Sequence, residues 1–197
     1  MQILHPLAGS VQQYLEQLSD PHRYRPNHCP QCQTKHALIA HGFYSRTIVD
    51  SEFDGVIRVR RYLCQTCRRT VSLLPEFAMP YLRSSITVIA LFLVARLLRA
   101  KSLKTALPTA SSYQRGQFWL RRFRSRAEAL CVCLAACTSP PVASTFVQRA
   151  LAMLETIGWI AAHRFLFSQL REHLLGWPPS LTLGGRRAAF RTVPAPL

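Results

Sequence analysis

The run Cys29-Pro30-Gln31-Cys32 and its echo Cys64-Gln65-Thr66-Cys67 decide how the first half of this chain folds. Four thiolates in two close pairs complete a tetrahedral zinc shell with no help from another residue. Both Cys-x-x-Cys runs read as turn-like knuckles, and the 31 residues between them read as strands. Disulfides are the competing use of such cysteines, and they need an oxidising compartment. The opening residues, Met1-Gln2-Ile3-Leu4-His5-Pro6, lack the basic and long apolar regions of a secretory signal. The longest apolar stretch, residues 86–95, is about half of what crosses a bilayer. The expectation is one structural Zn2+ held by Cys29, Cys32, Cys64 and Cys67, in a cytoplasmic, nucleoid-associated protein with no membrane partner.

Outward from the first knuckle, His36 to His41 reads as a strand, Gly42 allows a bend, and Phe43 to Val49 continues as a second strand. Asp54-Gly55 signals a hairpin, after which Val56 to Leu63 alternates into the second knuckle. Arginines fall on both faces of Val56 to Tyr62, so this strand is expected to be deeply buried on neither side. Pro75 and Pro80 close the module, giving a small β zinc ribbon over 21–80. Before it, residues 1–20 read as an N-terminal helix. Val11, Tyr14, Leu15 and Leu18 recur at helical spacing until Asp20-Pro21 breaks the pattern.

The second half reads as helices. Ser84 or Ser85 caps a uniformly apolar segment from Ile86 to about Arg99. Ser102 caps a short helix, Leu103 to Leu107, which Pro108 closes. Ser111 or Ser112 caps a third, from Tyr113 to about Cys137. Helix, short helix, turn and helix over 81–137 are the plan of a helix-turn-helix unit. At 100° per residue, Gly116, Leu120, Phe123, Ala127 and Leu130 form one core stripe, flanked by Trp119 and Tyr113. Residues 138–145 read as a linker. Residues 146–175 read as an apolar helix, broken near Gly158, that must bury itself on the preceding domain or on another chain. Residues 176–197 read as a disordered basic tail. The fold class is therefore α+β: a small β zinc ribbon, a mostly α-helical helix-turn-helix region and a C-terminal helix.

Charge points to the partner. Lys+Arg number 25 against 9 Asp+Glu, a net +16 over 197 residues. A field of that sign favours polyanions, nucleic acid or an anionic membrane surface, and the zinc motif beside it turns the expectation to nucleic acid, double-stranded DNA. Opposite the core stripe, the third helix carries Gln114, Gln117, Phe118, Arg121, Arg122 and Ser125. Glutamine and arginine make bidentate contacts to adenine and guanine edges, and an exposed Phe118 can touch a thymine methyl. The ribbon's Arg46, Arg58, Arg60, Arg61, Arg68 and Arg69 are the expected phosphate contacts.

The knuckle Cys29-Pro-x-Cys32, the run His41-Gly42-Phe43-Tyr44-Ser45-Arg46, and Arg61-Tyr62-Leu63-Cys64-x-x-Cys67-x-x-Thr70-x-Ser72-x-Leu74-Pro75 together resemble the zinc-ribbon head of bacterial insertion-sequence transposases. The nearest likeness is a transposase-like family of unknown function in which Pro80-Tyr81 and a helical region follow the ribbon. The resemblance covers roughly residues 25–130. It implies that Cys29, Cys32, Cys64 and Cys67 are zinc ligands. It also implies that ribbon and helix-turn-helix together bind the terminal repeats of a mobile genetic element. The likeness stops at the C-terminal side. Strand transfer needs three carboxylates holding two divalent metals on an α/β domain. After the third helix begins, the chain offers only Glu128, Glu155 and Glu172, all in helical segments. The expectation is a DNA-recognition module without a nuclease and with no catalytic residues, acting alone, as a homo-oligomer, or beside a separate catalytic transposase subunit.

Two other classes compete. One is a zinc-ribbon protein-interaction scaffold assembling through 146–175. The other is RNA binding through Phe43, Tyr44 and Tyr62. His28, His36 and His41 flank the first knuckle, but four cysteines already suffice for the metal. Cys131, Cys133 and Cys137 are read as buried small hydrophobes. No phosphate-binding glycine loop, nucleophile elbow or His-Glu-x-x-His run occurs.

Overall fold

The computed structural model describes residues 1–5, 10–17, 24–108 and 111–176. The chain is α+β, with its strands gathered in the first part and its longer helices in the second. Strand β1 (Gln2–His5) and helix α1 (Val11–Gln17) precede β2 (Leu38–Val49), β3 (Asp54–Cys64) and β4 (Thr70–Pro75). Helices α2 (Ile86–Leu97), α3 (Leu103–Ala106), α4 (Tyr113–Leu134), α5 (Phe146–Ile157) and α6 (Trp159–Leu170) follow.

The sheet order is β1-β4-β3-β2. β1 runs parallel to β4, and the other neighbours are antiparallel. Three expectations change here. Residues 2–5 form a strand rather than the start of an N-terminal helix, because β4 offers them an open edge with Ile3 opposite Leu73. The helical stretch is only α1, in which Val11 and Tyr14 are buried; Leu18 and Asp20-Pro21 lie outside the described residues. The two segments on either side of Gly42 are one strand, with an irregularity between Ala40 and Phe43. Gly42, at φ +75°, supplies the left-handed residue that such a bulge uses. The hairpin turns earlier than Asp54-Gly55: Asp54 already pairs with Val49, and the Asp50 N–H donates to the Phe53 carbonyl at 2.6 Å.

Both sheet faces are covered. Ile57, Val59, Ile48 and Leu74 join Val11, Tyr14 and Phe77 in one core. Tyr62, Leu38, Val71 and Leu73 join Cys29 and Cys64 in a second core on the opposite face. The expectation that β3 is deeply buried on neither side is therefore wrong. Its apolar residues feed two cores, and Arg60 itself is buried with its guanidinium over the Phe43 and Tyr62 rings. Cation–ring contact is what makes an arginine tolerable there.

The helices share a third core, built from α2, α4, α5 and α6. Ser85, Ser102 and Ser112 cap α2, α3 and α4, each hydroxyl accepting the backbone N–H three residues on. On α4, Gly116, Phe123, Ala127 and Leu130 are buried with Trp119, as the stripe requires. Leu120 is only half-buried and Tyr113 is exposed, so Tyr113 does not flank the core. The segment from 146 bends by 100° between α5 and α6. Gly158 sits in the break at φ +88°, a conformation that a side chain resists. Ala150, Leu151, Met153, Leu154, Ala162 and Leu166 bury themselves in the helical core of this chain. Among the described residues, no single helix is long and apolar enough to cross a membrane. The tail 177–197 lies outside the described residues.

Candidate metal centre and basic helix

The two knuckles have the same local construction. In the first, the Cys29 N–H donates to the Thr34 carbonyl at 3.0 Å, and the Gln33 N–H donates to the Cys29 carbonyl at 2.9 Å. In the second, the Cys64 N–H donates to the Arg69 carbonyl at 3.0 Å, and the Arg68 N–H donates to the Cys64 carbonyl at 2.9 Å. Gln33 and Arg68 occupy the matching left-handed position, at φ 60° and 57°. The Gln65 N–H donates to the Ala37 carbonyl at 2.9 Å, tying one knuckle to the base of the other.

Folding therefore brings four thiols together at one end of the sheet, where Leu38 at the start of β2 pairs with Cys64 at the end of β3. The Sγ atoms of Cys29, Cys32, Cys64 and Cys67 all lie within 4.8 Å of one another. Cys29 and Cys67 are 3.7 Å apart, and Cys32 and Cys64 3.6 Å. A tetrahedral shell with metal–sulfur bonds of about 2.3 Å spaces its sulfurs by roughly 3.8 Å, so the cluster fits one four-thiolate metal ion. Thr34 Oγ1 lies 3.3 Å from Cys32 Sγ, and its hydrogen bond, helped by the Thr34 backbone N–H, pulls the Cys32 thiol down to about 6. Backbone hydrogen bonding at Cys67 draws the Cys64 thiol downward as well. Both effects favour the thiolate that a metal needs at these two residues, while burial and the neighbouring thiols push Cys67 up to about 11. Among the described residues this is the one group of three or more His, Cys, Asp or Glu placed to hold a metal. His28, His36 and His41 are exposed and outside it.

The six arginines of the sheet module divide. Arg58, Arg68 and Arg69 are exposed, and Arg58 lies over the Phe43 ring at 4.2 Å. Arg61 is half-buried. Arg46 and Arg60 are not surface charges. Arg60 is buried as described, and Arg46 donates to the Met79 carbonyl at 2.9 Å and the Leu82 carbonyl at 2.5 Å. Burial pushes the Arg46 guanidinium below its ordinary range. These two hold the fold rather than a free phosphate.

On α4, Gln114, Gln117, Arg121 and Ser125 are exposed along one side, together with Arg124, which the sequence reading left out. Gln117, Leu120, Arg121, Arg124 and Ser125 line a shallow open concavity. Phe118 and Arg122 depart from expectation. Phe118 is half-buried against the helical core, and Arg122 Nε donates to the Leu175 carbonyl at 2.9 Å. The segment after α6 folds back onto α4 here, and Glu172 pairs with Arg126. Cys131 is buried and Cys133 half-buried, but Cys137 is exposed beyond the end of α4.

One polar cluster had no signal in the sequence, because its members are far apart there. Glu76, just after β4, is buried and receives Arg164 of α6 through two hydrogen bonds of 2.7 and 2.5 Å. His163 Nδ1 lies 3.2 Å from the Glu76 carbonyl oxygen, and its Nε2 is 2.9 Å from His173 Nδ1. Burial pushes His163 down to about 4. Burial, with His163 beside it, pushes His173 down to about 3.

No curated protein and no solved structure matches the chain. From the first knuckle to the opening turn of α4, residues 29–115, the chain is similar to a domain of unknown function (DUF6431), a match that spans the metal centre and α2–α3.

Proposed function

We propose that this chain is a zinc-dependent, double-stranded DNA-binding module of the transposase-associated kind, with the zinc structural and α4 as the helix that enters a major groove. The observation that carries the reading is the exposed side of α4. Gln114, Gln117, Arg121, Arg124 and Ser125 present amides, guanidinia and a hydroxyl, with Glu128 the one carboxylate further along the same side, on a chain of net charge +16. Those are the side chains that read purine edges. α4 spans 22 residues, about 33 Å, long enough to lie along a groove. The order α2, one-turn α3, α4 suits a helix-turn-helix unit. The exposed Arg58, Arg68 and Arg69 supply phosphate contacts from the zinc module. Most of the apolar residues of α5 and α6 are buried within the chain, which favours this reading over the scaffold alternative, although Phe146 stays exposed.

Arg121→Ala tests the base-reading role. Measured by anisotropy against a selected duplex and a scrambled one, it should cost about 1–3 kcal/mol on the selected sequence and relax preference at one base. Equal losses on both duplexes would remove α4 from base reading. Arg68→Ala with Arg69→Ala should weaken both duplexes alike and flatten the salt dependence.

A further inference from the structure

A cleft of about 380 Å³ opens at the polar end of the sheet face whose apolar end carries α1. Its floor includes Gln2, Tyr44 and Arg46, and its wall is the connection from β4 to α2, with Tyr81 and Arg83. That wall is built, not draped. Arg46 grips the Met79 and Leu82 carbonyls on either side of Tyr81. The Val49 N–H donates to the Arg83 carbonyl at 2.6 Å, and the Ser85 N–H donates to the Val49 carbonyl at 2.9 Å.

The clamp holds Tyr81 at φ +63°, a left-handed conformation that a bulky side chain rarely adopts, with the residue 67% exposed. Strain of this kind persists only where surrounding contacts enforce it, and it gathers at binding sites. The result is an aromatic ring displayed in solvent beside a cationic cleft, rather than packed in a core. Arg83 is exposed and, among the described residues, spends its Nε alone, on Thr47 Oγ1 at 3.1 Å, leaving its terminal nitrogens for an anion. Gln2 Oε1 is shielded from solvent in the same cleft and has no hydrogen-bond partner among the described residues. An amide oxygen awaiting a donor, a displayed ring and a guanidinium in one concavity are what a base and its phosphate require.

We propose that this cleft takes one unpaired nucleotide of a DNA strand, with its base stacked on Tyr81 and hydrogen-bonded to the Gln2 amide, and its phosphate on Arg83. The proposal rests on the DNA-binding reading but adds a surface and a strand form that α4 does not supply. The cleft and α4 share one connection: Met79, Pro80 and Leu82 line a small cavity with Phe118 and Arg122 of α4. A duplex end held by one is thus near the other.

The test uses the full zinc-loaded chain and two probes. One is a blunt duplex of about two helical turns; the other is the same duplex with a short unpaired thymidine tail on either strand. The tail should tighten binding roughly tenfold, the scale of one stacked base. Tyr81→Ala should abolish that gain while leaving blunt-duplex affinity within about twofold, and Tyr81→Phe should keep it. Gln2→Ala should reduce the gain, which guards against a misfolded Tyr81→Ala protein. Equal affinity for tailed and blunt probes overturns the proposal alone. So does an equal loss on both probes in Tyr81→Ala. Failure to bind either probe overturns the duplex reading together with this one.

Discussion

At the scale of single residues, chemistry concentrates on the four cysteines and on one arginine that changes its role. Cys64→Ser removes one sulfur from a shell whose Sγ atoms lie within 4.8 Å. The sheet around it depends on two small cores, one of which is built on those cysteines. Structural zinc contributes about 10–16 kcal/mol of apparent binding energy in small modules, so the variant should lose its zinc and most of its strand signal in circular dichroism. Full zinc occupancy in that variant would contradict the four-cysteine site. Arg46→Ala should behave as a fold mutation. Losing two charge-assisted hydrogen bonds to carbonyls should cost about 2 kcal/mol in urea unfolding without lowering the salt slope of DNA binding. A reduced slope with unchanged stability would return Arg46 to the phosphate contacts. The four-cysteine cluster was legible in the sequence because spacing alone brings each Cys-x-x-Cys pair together. The fate of Arg46 and Arg60 was not. It depends on carbonyls and rings that reach them only after strands pair, more than thirty residues away in the case of Met79.

At the scale of elements, caps and breakers were the readable signals. Ser85, Ser102 and Ser112 start the helices that their positions foretold. The core stripe of α4 emerged from a 100° periodicity. Gly158 broke the apolar segment because only glycine takes φ +88° at little cost. Gly158→Ala should therefore destabilise the protein by more than about 1 kcal/mol in urea unfolding, although nothing lies within 4 Å of the added methyl. A neutral result would mean that the bend does not need its left-handed residue. What local patterning could not show was β1. Gln2-Ile3-Leu4-His5 is a strand only because β4, some seventy residues on, presents an unpaired edge. The hairpin turn was misplaced for a related reason. Asp54-Gly55 has turn chemistry, but the pairing of Val49 with Asp54 assigns the turn to the preceding residues.

At the scale of the whole molecule, Glu76, His163, Arg164 and His173 fasten the end of the sheet to α6. In the unfolded chain both histidines take a proton as pH falls through about 6.5. In the fold they resist until about 4 and about 3. Across that window the unfolded chain binds more protons, so stability should fall with pH from 6.5 downward, and this contribution should level off below the folded values. Urea midpoints against pH should show that slope, and His173→Asn should flatten it. An unchanged slope would place the pH response elsewhere, for instance in thiolate protonation at the metal centre. The central claim is that zinc organises a DNA-binding surface, and duplex affinity across a salt series with and without a zinc chelator tests it most directly. Tight zinc-loaded binding is expected, with log affinity falling against log salt at a slope steeper than about −3. Loss of that binding on chelation is expected as well. Weak binding that ignores both salt and zinc would contradict it.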